Sequence, residues 1–177
     1  GPNSTLYILM EWFGALGDGT TDDTSAIQLA CDCSVVPRVP VKVLYKTYRV
    51  STINLPSRLV MQGDQGRAYG GTFKSNSTGA VFKCATAYGE TNIVLEGGFI
   101  LDGNNTASSC IDVAGATGLN MDRINIKNAT VGILMTGNSG GLALFNRCRF
   151  TDTLATAVQI SAGVLDVTFQ FCMFAST

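Results

Sequence analysis

The sequence predicts an all-β fold, a right-handed parallel β-helix with three short strands per coil and one capping α-helix near its N-terminus. Three observations carry this. Short apolar runs alternate strictly, as in Leu119-Asn120-Met121 and Ile124-Asn125-Ile126, the pattern of strands that bury one face. The runs recur, segment 145–153 being matched by 169–177 at a spacing of 24, and a period in the low twenties is too short for ankyrin, TPR or HEAT units. A single helical pattern precedes all of them, and a short amphipathic helix needs an apolar surface to cover.

In chain order, Gly1-Pro2-Asn3-Ser4 has the look of a protease and cloning scar. Residues 5–40 form an N-terminal segment with the capping helix, and residues 41–177 the coils. The run Leu6-Tyr7-Ile8-Leu9-Met10 is broken by Glu11 and lacks basic flanks, so neither a signal peptide nor a membrane span is expected. A glycine-punctuated turn follows, and Asp22 or Asp23 is placed to cap a helix whose apolar stripe is Ala26, Ile27, Leu29 and Ala30. Val35-Val36-Pro37 should end it.

In the coils, Leu119-x-Met121 pairs with Leu142-x-Leu144 at 23, and Phe99-x-Leu101 with Ile124-x-Ile126 at 25. Second triplets, Ile111-Asp112-Val113, Ile133-Leu134-Met135 and Val158-Gln159-Ile160, are spaced 22 and 25. Leu119, Met121, Ile124, Ile126, Leu142, Leu144, Cys148 and Phe150 are therefore expected to face inward, with Cys148 near Cys172. Connecting Asn, Gly and Ser residues suit tight turns. Asn104, Asn105, Asn128 and Asn146 are expected either in stacked amide ladders or in turn duty. The sequence stops inside a repeat, so truncation at the C-terminus is expected.

The composition is 46% hydrophobic but only 14% charged, with 20 Gly and a net charge of −1. That charge content is low for a globular domain and fits an elongated or assembled protein. No long basic run is present, so nucleic acid is not an expected partner. The chain has no His, which removes imidazole acid–base chemistry and every Ser-His or Cys-His triad. Cys31-x-Cys33 has the wrong spacing for a zinc knuckle. No metal and no cofactor are expected, and the six Cys are expected as buried free thiols.

The run from Phe13 to Gln28, FGALGDGTTDDTSAIQ, resembles the opening motif FGAKGDGxTDDTxAIQ of the pectate-lyase-like β-helix superfamily, widespread in bacteriophage tailspikes and in polysaccharide lyases and hydrolases. It departs at Leu16, where lysine is usual. Residues 43–63 are similar to that family's first coil, without the Pro and Gly that usually precede the Thr47-Tyr48 pair. The resemblance spans residue 13 to about residue 66. It implies a segment of a tailspike or virion appendage, homotrimeric, recognising bacterial surface polysaccharide without inserting into a membrane. A depolymerase, lyase or glycoside hydrolase, is the first alternative, and a secreted pectate-lyase-like enzyme the second.

Cleaving a glycan requires two carboxylates, one to give a proton and one to act as base or nucleophile. Because Leu95 and Met121 should point inward, Glu96 and Asp122 should point outward on successive coils, about 4.8 Å apart. Such a pair serves either as candidate catalytic acid and base or as surface charges neutralised by Arg123 and Arg147. Those two arginines, with Tyr69 and Tyr88, are the candidate substrate-binding residues, and Trp12 is a further sugar-stacking candidate. Asp102, Lys127 and Asp152, spaced 25 apart, should form a second outward row of surface ion pairs. Phe145, Phe150, Phe169, Phe171 and Phe174 are expected as core stacks.

Overall fold

In the computed structural model, which describes residues 6–64, 70–84, 89–114, 116–136, 140–152, 155–161, 163 and 165–175, the chain winds as a right-handed parallel β-helix. The five central coils each contribute one strand to each of three parallel sheets, with the crossover hand that parallel strands take almost without exception. The first face stacks Ile8–Leu9, Val41–Lys42, Val60–Gln62, Gly89–Glu96, Ala116–Asp122, Gly140–Asn146 and Leu165–Gln170. The second stacks Asp18–Asp22, Thr47–Val50, Thr72–Ser75, Ile100–Asp102, Asn125–Lys127, Arg149–Thr151 and Met173–Phe174. The third stacks five, Ile53–Leu55, Phe82–Cys84, Ser109–Ala114, Val131–Thr136 and Thr156–Ile160.

In the first coil a helix, Thr24–Ser34, stands where the third face would have a strand. Ile27, Ala30 and Cys31 are buried on its inner side and join the core. Its outer polar residue Gln28 performs the edge-strand function. The Gln28 side-chain amide donates to the Asn54 carbonyl at 2.8 Å and accepts from the Asn54 N–H at 2.8 Å, occupying backbone groups that an open sheet edge would offer to another chain. The two aspartates at the helix start divide their work. Asp22 accepts from the N–H of Thr24 at 3.0 Å, while Asp23 holds the N-cap position without a side-chain cap bond. Buried Asp23 instead accepts from Leu16 N at 2.7 Å and Gly17 N at 3.1 Å, tying the glycine turn to the helix.

The interior is a continuous column of Val, Ile, Leu, Phe and Met from Met10 to Phe150. Leu119, Met121, Ile124, Ile126, Cys148 and Phe150 are inward as expected. Leu142 and Leu144 are not: Leu142 is 67% exposed, and Ala143 and Phe145 are buried in their place. Leu119 registers with Ala143 and Met121 with Phe145, a spacing of 24 rather than 23. Two alternations compete within Leu142-Ala143-Leu144-Phe145, and a one-residue slip exchanges the faces. The one that buries Phe145 wins, because its ring stacks on Phe169 with centroids 4.9 Å apart. Phe150 stacks on Phe174 at 4.7 Å, but Phe171 is 87% exposed. It follows the strand on the corner, with φ of 52°, and takes no part in the core.

All six cysteines are free thiols. Cys148 lies with its sulfur 3.7 Å from Met121 O, and Cys172 repeats this one coil on, 3.3 Å from Phe145 O. Burial of Cys84, Cys110 and Cys148 pushes their thiols up to about 12, whereas Cys33 is exposed.

Two outcomes follow for the folded protein. Phe145→Ala should cost about 3–5 kcal/mol in denaturant melts, while Leu142→Ala should stay within about 0.5 kcal/mol; equal costs would contradict this register. At mildly alkaline pH a thiol-specific reagent should label Cys33 readily and leave Cys84, Cys110 and Cys148 unmodified until the protein unfolds, because only the thiolate reacts. Mass mapping of the labelled peptides checks it.

Candidate functional site

The outward residues of the first face form columns. One runs Lys42, Gln62, Glu96, Asp122, Asn146, Gln170, each in register with the next. Glu96 and Asp122 are thus neighbours on successive coils, as their spacing implies. Gln62 Nε2 donates to Glu96 Oε1 at 2.9 Å, and Asn146 Nδ2 to Asp122 Oδ1 at 2.8 Å. Lys42 Nζ turns to the Gly63 carbonyl at 2.9 Å.

Directly after this column the chain turns to the second face, and the corner residue takes left-handed backbone. Gly97 (φ 91°), Arg123 (φ 58°), Arg147 (φ 52°) and Phe171 (φ 52°) occupy that corner on successive coils. Glycine is the usual choice there, and a side chain costs about 1–2 kcal/mol. The two arginines gain a carboxylate in return. Arg123 Nε donates to Asp122 Oδ2 at 2.8 Å, while Arg147 donates to Oδ1 through Nε at 3.0 Å and Nη2 at 2.8 Å.

Asp122 therefore accepts from Arg123, Arg147 and Asn146 together, with its side chain only 18% exposed. Both of its oxygens are thereby occupied by charge-assisted or amide hydrogen bonds. It suits orientation and charge balance better than proton donation. Glu96, which accepts from the uncharged amide of Gln62, is the better placed of the two for contact with a ligand.

The second outward row is shorter than its spacing suggests. Lys127 registers with Asp102, and their charged atoms are 3.5 Å apart, but Lys127 registers onward with Thr151. Asp152 lies one position further, on a left-handed corner (φ 54°) in line with Asn128 (φ 55°). Asp102 is buried and also accepts from Asn104 N at 2.8 Å and Asn128 Nδ2 at 3.0 Å, so it pins this corner. Asn104, Asn105 and Asn128 all have positive φ, which is turn duty. Tyr69 and Tyr88 lie outside the described residues, and Trp12 is exposed. Among the described residues no cluster of three or more Cys, Asp or Glu is arranged to hold a metal ion.

A cleft of about 380 Å³ that the spacing of apolar residues does not announce lies at the opposite end of the first-face strands, lined by Ser34, Arg38, Val39, Arg58, Val60 and Asn92. The usable signal was there: Arg38 and Arg58 each precede by three residues the paired inward residues Val41 and Met61.

No protein-family profile matches the sequence, and no curated protein matches it. Solved structures similar to it include the N-terminal fragment of gene product 12 of bacteriophage Phi29, with TM-score 0.68 and 18% identity over 94% of this chain and 36% of that one. The ORF18 protein of Geobacillus virus E2 gives 0.63 and 17%, over 95% and 42%. The A-module of the mannuronan C-5 epimerase AlgE6 from Azotobacter vinelandii gives 0.67 and 16%, over 96% and 56%. At these identities the likeness is one of fold, and the chain spans between about a third and a little over half of those proteins.

Asp122→Asn should lower stability by about 1.5–3 kcal/mol, the scale of a hydrogen bond to a charged group, because Arg123 and Arg147 would face one another without an anion. The loss should be larger at low than at high ionic strength. Urea melts at two salt concentrations check both statements, and a salt-independent difference would contradict the second.

Proposed function

We propose that this chain is the β-helical segment of a virion appendage that recognises a bacterial surface polysaccharide, acting as a homotrimer at the bacterial surface. The observation that carries this reading is the polar column from Lys42 to Gln170 with its arginine corners. It presents hydrogen-bonding groups at every coil, about 4.8 Å apart, a repeating surface suited to a repeating polymer. The opening motif resembles that of tailspikes and polysaccharide-acting enzymes, two of the similar folds come from a bacteriophage and a virus, and a third from an enzyme named for mannuronan. Half-buried Val60 and Val94, stacked on adjacent coils, and exposed Leu142 with half-buried Leu144, on the far side of Asn120, give the first face two apolar patches that a second copy would cover. Among the described residues no helix is long and apolar enough to cross a membrane.

The pairing of Glu96 with Asp122 on adjacent coils favours one second reading, a depolymerase in which these carboxylates do the chemistry. The arginines occupy both oxygens of Asp122 and leave Glu96 as the residue to test. Secretion as a pectate-lyase-like enzyme has no observation in its favour.

Purified bacterial polysaccharides should bind the protein, and sedimentation should give a trimer. If the segment only binds, no cleavage products will form, and Glu96→Gln will change affinity alone. If it cleaves, Glu96→Gln should lower turnover by roughly 10²-fold, the scale for losing a general acid or base, with melting unchanged. A protein that binds none of a broad panel would contradict the recognition reading.

A further inference from the structure

Among the described residues, two left-handed turns bring a pair of arginines together, and one of these pairs is furnished with an acid. Arg123 and Arg147 stand at matching left-handed corners with Asp122 between them. Arg38 (φ 55°) and Arg58 (φ 67°) are left-handed as well, and each stands three residues before an inward residue of the paired strands Val41–Lys42 and Val60–Gln62. Both side chains line one and the same cleft. Both are exposed, and no carboxylate pairs with either among the described residues.

Like charges gathered at one cleft repel, and a guanidinium cannot relieve this by losing its proton. At the other corner the repulsion is answered by Asp122. Here the same two side chains border open space: the cleft of about 380 Å³, and an adjoining one of about 540 Å³ that also touches both. Val39 and Val60 give the first cleft an apolar wall, and Asn92 contributes an exposed amide. The Ser34 hydroxyl is already spent on the Cys31 carbonyl at 2.7 Å.

We propose that this cleft is a second glycan site, taking the carboxylate of an acidic sugar between Arg38 and Arg58 as Asp122 sits between Arg123 and Arg147. Each guanidinium offers paired N–H groups that match the two oxygens of a carboxylate. The valines face the carbon side of the ring, and Asn92 reaches its hydroxyls. The proposal rests on the polysaccharide reading only in that a sugar carries the anion.

Calorimetric titration with a uronic-acid oligosaccharide, its carboxyl-reduced neutral counterpart and inorganic phosphate tests it, on the parent, Arg38→Asn and Arg58→Asn. Asparagine tolerates left-handed backbone, so both variants should melt like the parent. The parent should prefer the uronate oligosaccharide, and each variant should lose roughly tenfold or more in affinity for it. Should a variant fold poorly, guanidinium NMR signals of the parent serve instead, and those of Arg38 and Arg58 should shift on adding the oligosaccharide. Unchanged affinity in both folded variants, unshifted signals, equal binding of the neutral sugar, or phosphate bound as tightly as the uronate would each overturn the proposal. Uronate binding that depends on Arg38 and Arg58, in a parent that binds no whole bacterial polysaccharide, would contradict the broader reading and leave this site standing.

Discussion

Among the described residues each interior strand hydrogen-bonds in parallel to the strands one coil above and one coil below it, and each end strand to one neighbour. A side chain's nearest neighbours are consequently its counterparts on adjacent coils, about 4.8 Å away, rather than residues close in sequence. Inside, this turns a mixed sequence into stacks such as Phe145 on Phe169 and Phe150 on Phe174. Outside, it turns scattered polar residues into columns. Whatever charge occupies one coil is felt by the next, so the stacking rule that builds the core also decides which surface charges need a partner.

The corners are where that rule bears hardest. A left-handed residue is required for the sharp change of direction, and glycine meets the requirement at Gly97. Where arginine stands there instead, at 123 and 147, a carboxylate bridges the pair; where Asn128 stands, Asp102 accepts its amide. Polar side chains on strained backbone are thus anchored by an acid on the preceding strand. At the N-terminal end the same economy of contacts lets one side chain, Gln28, stand in for a strand by bonding both backbone groups of Asn54.

Much of this was legible in the sequence. Alternation and spacing placed Ile111, Ile133 and Val158 on one column, as they are, and set Glu96 beside Asp122. Two departures share one physical cause, a shift of one residue. Leu142-Ala143-Leu144-Phe145 supports two alternations, and aromatic stacking across coils, invisible within one segment, chooses between them. A spacing of 25 puts Asp152 in the Lys127 row, but the strand stops at Thr151 and Asp152 turns the corner. The cleft between Arg38 and Arg58 escaped notice because a helix fills the first coil where a strand would have shown the repeat.

The central claim is that stacked corner charges are balanced either by the protein's own acid or by a ligand's. A crystal structure of the protein with an acidic oligosaccharide tests this most directly. The account predicts a carboxylate bridging Arg38 and Arg58, with the Asp122 bridge between Arg123 and Arg147 undisturbed. A sugar bound elsewhere with the Arg38 and Arg58 side chains turned apart, or one that displaces Asp122 from its arginines, would contradict it.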